Sequence, residues 1–387
     1  MIIQPKTKGF ICTTAHPVGC KENVRRQIEY IRSLGKKTGA KNVLIIGAST
    51  GYGLASRIST AFGLGSATLG VMYEKESNGK RTATAGWYNT KAFEDFAHAQ
   101  GLYAKSINGD AFSKEIKEKT IQTIREDLGT VDLVIYSLAA PKRVMEDGTV
   151  YQSTLRTIGK PFTEKSWDLE KDKLITATIE PASEEEIQGT KKVMGGEDWM
   201  LWIEALEKAK VLSHHAMTLA YSYIGPERTY PVYYQGTIGQ AKEDLQETAK
   251  NIRKSFSSLD LQAYICVNKA LVTQASSAIP IVPLYFALLY RVMKKKGLHE
   301  DCIGQMGRLF LDKLLPEKTL ELDEESRIRM DDYEMRQDVQ AEVDALWQQV
   351  NEDNLHELAD TKGYWDDFYH LFGFFMPGID YNQETEV

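Results

Sequence analysis

Two stretches of this chain hold residue types whose spacing could do chemistry. In the first, Val43 to Ile46 runs into Gly47-Ala48-Ser49-Thr50-Gly51-Tyr52-Gly53, a G-x3-G-x-G turn ahead of a helix-forming segment. Gly47 lets the chain turn, while Gly51 and Gly53 let backbone N–H groups and a helix start approach a pyrophosphate that the helix dipole also attracts. Glu74 stands 21 residues beyond Gly53. At that spacing a carboxylate accepts hydrogen bonds from an adenosine ribose and repels a 2′-phosphate, which selects NAD over NADP. The alternative is that Glu74 merely opens the charged loop 74–81, where Lys75 and Arg81 could tolerate the phosphate. In the second stretch, Tyr233 and Lys242 are separated by eight residues. Thr237 and Gln240 between them form a T-x-x-Q pattern that predicts a capping box and a helix carrying Lys242 in its first turns. Direct i,i+4 packing does not explain the pair. With 19 tyrosines in the chain, the surrounding motif must carry the weight.

These residues need a scaffold that brings strand ends together. Val43 to Ile46 suits a strand buried on both faces, and Ser66 to Tyr73 reads as a second strand that delivers Glu74. A third strand, Leu102 to Ile107, ends in Asn108-Gly109-Asp110-Ala111-Phe112, where Asp110 serves an adenine amino group or caps the helix near 113–128. A fourth runs from Val131 into Ser137-Leu138-Ala139-Ala140-Pro141, whose small residues let a nicotinamide ribose lie on the backbone. Alternation of strand and helix predicts an α/β fold, a doubly wound parallel sheet of Rossmann type, with its ligand crevice at the converging strand ends. From about Lys142 to Ala209 the pattern departs from a minimal unit. Thr163–Leu169 and Leu174–Ile179 predict an inserted hairpin, an acidic helix begins over 181–186, and Trp199 and Trp202 pack as core, with a substrate wall as the alternative. Met217 to Tyr223 returns to the sheet.

Composition narrows the function classes. The chain has 387 residues, a formal charge of -7 and a pI near 5.7. This gives no support to nucleic-acid binding, which favours a basic patch. Cys12, Cys20, Cys266 and Cys302 lack C-x-x-C spacing and read as reduced thiols of a cytoplasmic protein. No apolar leader opens the chain, and the most apolar stretch, 270–293, is broken by Gln274, Pro280 and Pro283, so membrane insertion is not expected. His16 near Cys20 finds no companion ligands, which leaves a structural loop and no metal. Leu284 to Met293 predicts an apolar helix that could wall an acyl cavity, and Lys294-Lys295-Lys296 a solvated helix end, with an acidic carrier protein or CoA phosphates as the alternative contact. Val339, Val343, Leu346 and Val350 predict a helix core face. Phe368, Phe372, Phe374 and Phe375 predict a docked aromatic end.

The dinucleotide turn, Glu74, the Ser137-Leu138-Ala139 loop, Tyr-x8-Lys within Tyr221-Ser222-Tyr223-Ile224-Gly225-Pro226-Glu227, and Ser276-Ser277-Ala278-Ile279-Pro280 together resemble the FabV-type enoyl-acyl-carrier-protein reductases and their relatives, the trans-2-enoyl-CoA reductases. The resemblance extends over essentially the whole chain, including Gly195-Gly196-Glu197-Asp198-Trp199 and Gly378-Ile379-Asp380-Tyr381. It implies an enlarged short-chain-reductase fold that uses NADH to saturate the C2=C3 bond of a 2-enoyl thioester carried on acyl carrier protein or CoA. It places the acid on Tyr233, the assisting cation on Lys242 and a second substrate-contacting phenol on Tyr223. Cofactor contacts fall on Gly47 to Gly53, Tyr73, Glu74, Asp110, Ala111, Leu138, Ala139, Lys242, Leu271, Val272 and Thr273. A nearby ammonium would also lower the phenol's pKa toward the working range. Descriptions of the family assign a flavin to the carboxyl-terminal end, where the sequence offers no second dinucleotide turn. The expected layout is one enlarged domain over 1–387: mainly dinucleotide-binding to 141, an insertion over 142–210, the catalytic and cavity part over 211–297, and a helical extension over 298–387. A monomer is expected, with a dimer as the alternative. Two other readings stay open: a 3-ketoacyl (carbonyl) reductase using the same Tyr and Lys, and a non-catalytic NAD-binding regulator.

Overall fold

A computed structural model describes residues 1–8, 11–273, 276, 279 and 281–387. Ser277, Ala278 and Pro280 of the serine-rich motif lie outside the described residues. A short ribbon, β1 (Thr7–Lys8) against β2 (Ile11–Cys12), leads into α1 (Pro17–Ser33). Pro17 sits in the first turn, where its missing N–H costs nothing. His16 is the N-cap, its Nδ1 accepting the Gly19 N–H at 3.2 Å, so it is structural. There follow β3 (Asn42–Ile46), α2 (Gly51–Ile58), β4 (Ala67–Met72), α3 (Ala85–His98), β5 (Ala104–Asn108), α4 (Lys114–Thr123) and β6 (Val131–Tyr136). Every one of these strands falls on an apolar run singled out in the sequence.

The insertion opens with a small hairpin that the sequence did not reveal, β7 (Lys142–Val144) and β8 (Val150–Gln152). The predicted hairpin comes next, β9 (Phe162–Asp168) and β10 (Lys173–Ile179), with Leu174 opposite Trp167. In α5 (Glu184–Met194) a capping box joins Ser183 and Glu186. The chain continues through α6 (Glu197–Lys208), β11 (Leu212–Ser222), α7 (Thr237–Ser255), β12 (Gln262–Val267), α8 (Val282–Lys295) and α9 (Cys302–Arg308). It ends with β13 (Ile328–Arg329), α10 (Gln337–Gln349), α11 (Leu355–Leu358) and α12 (Thr361–His370).

The main sheet is parallel throughout, in the order β13-β12-β11-β6-β3-β4-β5. From β3 the chain winds outward through β4 and β5, then returns to β6 and winds the other way. The crevice therefore opens between the carboxyl ends of β3 and β6, where the strand order reverses. Alternate residues serve two cores. Val43, Ile45, Leu133 and Ile135 face α1, α2 and α9, while Leu44, Ile46, Val134 and Tyr136 face α4, α6 and α7. Trp199 and Trp202 are fully buried in the second core, as predicted.

A third core surrounds α8, which is buried almost all round and packs against α10, α12 and β9. At about 1.5–3 kcal/mol for each large apolar side chain removed from water, this helix anchors the extension rather than forming an open wall. The expectation of an acyl cavity along Leu284 to Met293 is thus corrected: of these residues only Phe286 lines the cavity described below. Val339 and Val343 do lie on the buried face of α10, together with Trp347, while Leu346 is half-buried and Val350 is buried just past the helix end; Phe368, Phe372 and Phe374 are buried. Phe375 is the exposed exception. Among the described residues no helix is long and apolar enough to cross a membrane.

Candidate active site

The glycine turn is held by contacts that a side chain would destroy. Gly47 has φ +87°, and a Cβ there would lie 2.2 Å from the Ser137 carbonyl oxygen; a Cβ on Gly53 would lie 1.9 Å from the Gly47 carbonyl oxygen. Backbone from β3, α2 and the β6 exit loop therefore meets directly, leaving a cradle at the start of α2. Thr50 is the N-cap and makes no side-chain cap bond, so the first N–H groups of α2 keep their pull on an anion. Ser49 Oγ donates to Glu74 Oε1 at 2.6 Å, and the Asn108 amide brackets the Glu74 backbone, accepting its N–H at 2.8 Å and donating to its carbonyl at 2.9 Å. Glu74 is tied to the turn, not loose in the charged loop. Tyr73 beside it is 78% exposed.

Asp110 is not a helix cap. Its Oδ1 accepts the Phe112 N–H at 3.0 Å, and Ser113 caps α4 instead, accepting the Ile116 N–H at 3.2 Å. The next residue, Ala111, is fixed from beneath: its carbonyl accepts Lys117 Nζ at 3.0 Å and Trp202 Nε1 at 3.2 Å. Lys117 also pairs with buried Asp198 at 2.7 Å, and Asp198 accepts the Tyr136 hydroxyl at 3.1 Å. Burial raises the Asp198 carboxyl against the pull of Lys117 and Arg143. The insertion thus supports the third strand's loop, a tie that no local sequence pattern announces.

A cavity of about 630 Å³ lies over the carboxyl ends of β6, β11 and β12. Leu138, Ala139, Tyr223, Tyr233, Lys242 and Leu271 all line it, and so does Thr273. Tyr233 stands in the turn before α7, buried, its ring edge-on to Tyr223 with centroids 4.8 Å apart and planes at 80°. Tyr234 points elsewhere and pairs with Tyr230. A Cβ on Gly239 would lie 1.9 Å from the Tyr234 carbonyl, so this turn seats directly on the first turn of α7.

The helix start itself differs from expectation. Gly236 is the N-cap, and no capping box forms. Thr237 instead donates its hydroxyl to the Thr154 carbonyl and accepts the Arg156 N–H at 3.2 Å, while Gln240 turns to Glu243. The threonine is taken by the insertion, which sequence-local reasoning could not foresee.

Lys242 Nζ donates to the Tyr221 carbonyl at 3.0 Å, and burial lowers its pKa to about 8. Burial pushes the Tyr233 phenol well above its ordinary value, and the charge of Glu334 adds to this. The expectation that Lys242 lowers that phenol is therefore corrected: the cation is held at β11, and Tyr233 is a firmly protonated acid.

The segment after β12 is pinned by residues distant in sequence. Lys269 N–H donates to Gln305 Oε1 at 2.8 Å, Ala270 N–H to Glu334 Oε2 at 2.7 Å, and Val272 N–H to the Tyr290 hydroxyl at 3.1 Å. Gln305 also donates to the Tyr52 hydroxyl at 2.7 Å, which donates to the Lys269 carbonyl at 2.8 Å. Leu271, Val272 and Thr273 are therefore presented on a fixed backbone joined to the glycine-turn helix. Tyr52 was expected only as part of the turn; Gln305, Lys269, Tyr285 and Glu334 were not singled out at all.

Comparison with known proteins matches three consecutive segments of the chain. The family model described as the trans-2-enoyl-CoA reductase catalytic region matches residues 81–315, the NAD(P)H binding domain of trans-2-enoyl-CoA reductase matches 2–79, and the enoyl reductase FAD binding domain matches 322–385. The chain is 55% identical to a trans-2-enoyl-CoA reductase [NADH] of Clostridium perfringens over 388 residues, covering 100% of this chain and 99% of the other. It is 55% identical to an enoyl-[acyl-carrier-protein] reductase [NADH] of Flavobacterium johnsoniae over 386 residues, covering 100% and 98%. The crystal structure of a Clostridium acetobutylicum trans-2-enoyl-CoA reductase in complex with NADH superposes with a TM-score of 0.97 at 46% identity, covering 100% and 98%.

A flavin does not fit the residues of the third match. Segment 322–385 supplies the short edge strand β13 and helices that bury Val339, Val343, Trp347, Tyr364 and Phe368 in the core around α8. It contains no strand, glycine turn and helix in sequence. The cleft it does line, at Gln348 to Glu352, lies at the carboxyl end of α10, where the helix dipole repels phosphate.

Proposed function

The chain belongs to the trans-2-enoyl-CoA reductase family, and from that premise we propose that Tyr233 is the proton donor and Lys242 the assisting cation of its NADH-dependent reduction of a trans-2-enoyl thioester to the saturated acyl thioester. When bound, NADH supplies the hydride that C3 of the enoyl group accepts. Negative charge then moves to the thioester oxygen, and the enolate must be met by a donor already in place. The Tyr233 hydroxyl suits this task because it lines the cavity, is protonated at neutral pH, and has no hydrogen bond to any described residue. This uncommitted phenolic proton is the observation that carries the reading. The Tyr233 hydroxyl holds the enolate and passes it its proton, which the saturated product finally carries at C2, and the phenolate left behind recovers a proton from water.

Gly47 to Gly53 would hold the pyrophosphate, Tyr73 and Glu74 the adenosine side, and Asp110 and Ala111 the adenine. Leu138, Ala139, Lys242 and Leu271 to Thr273 would bracket the nicotinamide end. Tyr223 contributes a ring to the substrate wall. We further take the enzyme as a monomer, with a dimer as the alternative. Four free thiols suit the reducing cytoplasm. The strands of the main sheet come from all three matched segments, which supports one enlarged domain. Lys294, Lys295 and Lys296 are engaged by Asp360, Glu342 and Asp338, which weakens the case for that run as the carrier's docking point.

The test compares wild type with Tyr233→Phe by NADH oxidation with crotonyl-CoA, an enoyl carrier protein and a 3-ketoacyl thioester. Wild type should reduce enoyl and not 3-ketoacyl substrates. Tyr233→Phe should lose about 10²-fold in turnover while NADH binding, read by fluorescence, survives. Near-normal turnover in Tyr233→Phe refutes the assigned acid.

A further inference from the structure

Glu334 lies in the carboxyl-terminal extension, between β13 and α10, and is fully buried without lining the cavity. Three donors converge on its carboxylate. Oε2 accepts the Ala270 N–H at 2.7 Å; Oε1 accepts the Tyr285 hydroxyl at 2.7 Å and the Tyr223 hydroxyl at 3.0 Å. Gln340 Nε2 donates to the Tyr285 oxygen at 3.2 Å and to the Glu334 carbonyl at 2.7 Å. A backbone carbonyl only accepts, so the amide orientation is fixed and the single proton of Tyr285 is left for Glu334. A Cβ on Gly225, which has φ +75°, would lie 2.6 Å from the Tyr223 hydroxyl, so that hydroxyl is confined on a second side. One carboxylate thus joins the ring that stands edge-on to Tyr233 with the amide that begins the Leu271-Val272-Thr273 segment.

We propose that Glu334 is a positioning residue of the reduction site, fixing Tyr223 on the substrate side and the Ala270 backbone on the cofactor side with the same carboxylate. The inference rests on the cavity being the reduction site, and it does not depend on which phenol is the acid. A buried acceptor shared by three donors is costly to lose, because each donor left unpaired keeps its desolvation penalty. The donors differ in freedom. The Ala270 N–H cannot turn away, whereas a phenol can rotate its hydroxyl proton about the C–O bond. A glutamine in place of Glu334 would therefore give its one oxygen to Ala270 and turn its NH2 to the phenols, so the Tyr223 hydroxyl would have to accept where it now donates and its proton would turn elsewhere.

The experiment sets Glu334→Gln beside Glu334→Ala, each alone and the former combined with Tyr223→Phe, in the full-length enzyme with crotonyl-CoA and NADH. Glu334→Gln should keep KM for NADH within about twofold while kcat falls about tenfold, and Glu334→Ala should impair both. Because glutamine acts through the Tyr223 hydroxyl, adding it to Tyr223→Phe should cost less than about twofold more in kcat, a non-additivity that a purely structural role would not produce. Equal damage to KM by Gln and Ala, an unchanged kcat in Glu334→Gln, or simple additivity with Tyr223→Phe overturns the proposal. If Glu334→Gln does not fold, Tyr223→Phe alone decides: it should carry the tenfold kcat loss at unchanged KM for NADH, and a wild-type kcat overturns the proposal. Loss of activity in Tyr233→Phe is a separate result, so failure of the assigned acid and failure of the Glu334 clamp remain distinguishable.

Discussion

Lys242→Met should abolish most of the activity and yet leave the fold more stable at pH 7. The lysine is partly buried against the cavity, its ammonium hydrogen-bonded among the described residues only to the Tyr221 carbonyl, and burial brings its pKa down to about 8. In the unfolded chain the same group titrates near its ordinary value of about 10.4, so at neutral pH folding forces a charged amine into an environment that disfavours it. That difference corresponds to roughly 3 kcal/mol; screening at the cavity edge trims it to about 2, and losing the hydrogen bond costs about 1. Methionine fills the same volume without charge, which leaves a net gain of about 1 kcal/mol. The sign with pH follows from proton counting. Between about 8 and 10.4 the unfolded state binds more protons than the folded one, so the wild type gains stability across that window as its penalty disappears. The advantage of Lys242→Met should accordingly be greatest below pH 8 and fade toward pH 10. Urea unfolding of both proteins at pH 7 and pH 9.5 reads this directly, and fluorescence titration reads the weakened NADH binding. In the wild type, kcat/KM should fall as pH rises through about 8, when the ammonium is lost. A variant less stable than wild type at pH 7, or one whose advantage grows with pH, refutes the view that this lysine is kept at the expense of stability.

Two further outcomes concern the cofactor crevice. Glu74→Ala removes the carboxylate that Ser49 holds at 2.6 Å, and it should narrow the preference for NADH over NADPH in steady-state kinetics. An unchanged ratio would make Glu74 a loop residue. Gly53→Ala places a methyl 1.9 Å from the Gly47 carbonyl and should raise KM for NADH at least about tenfold, with a lower Tm as α2 is forced from the β3 turn. Gly65→Ala, where a Cβ meets nothing, controls for ordinary glycine effects through its φ of +76°, and NADH binding should survive there.

Apolar runs were enough to read β3, β4, β6 and β11 because each central strand pairs on both sides and buries both faces, so its sequence cannot be polar. The glycine turn was legible for a related reason: Gly47 and Gly53 answer to backbone contacts that no other residue could make. Capping near Tyr233 was not legible in the same way. Thr237 and Gln240 match a local pattern, but Thr154 and Arg156 compete for the threonine from 81 to 83 residues away and win it. The α8 segment misled through its composition, since an apolar helix reads alike whether it faces a ligand or a protein core, and here it faces α10 and α12.

The deepest omission is Glu334, which follows Tyr233 by about a hundred positions and sits among Asp331, Asp332 and Tyr333 in what reads as an ordinary charged connector. Its meaning comes only from where the chain returns: β13 pairs with β12, and that pairing places Glu334 beside the first residues beyond β12. An edge strand of two residues contributes little stability by itself. Its position nevertheless determines which carboxylate reaches Ala270 and Tyr223, so the carboxyl-terminal extension is tied to the candidate site through Glu334 although none of its residues lines the cavity. Truncating the chain before Ile328 should therefore remove turnover by releasing Tyr223 and the Leu271 to Thr273 segment, even where the glycine turn, which lies at the far side of β6, still folds.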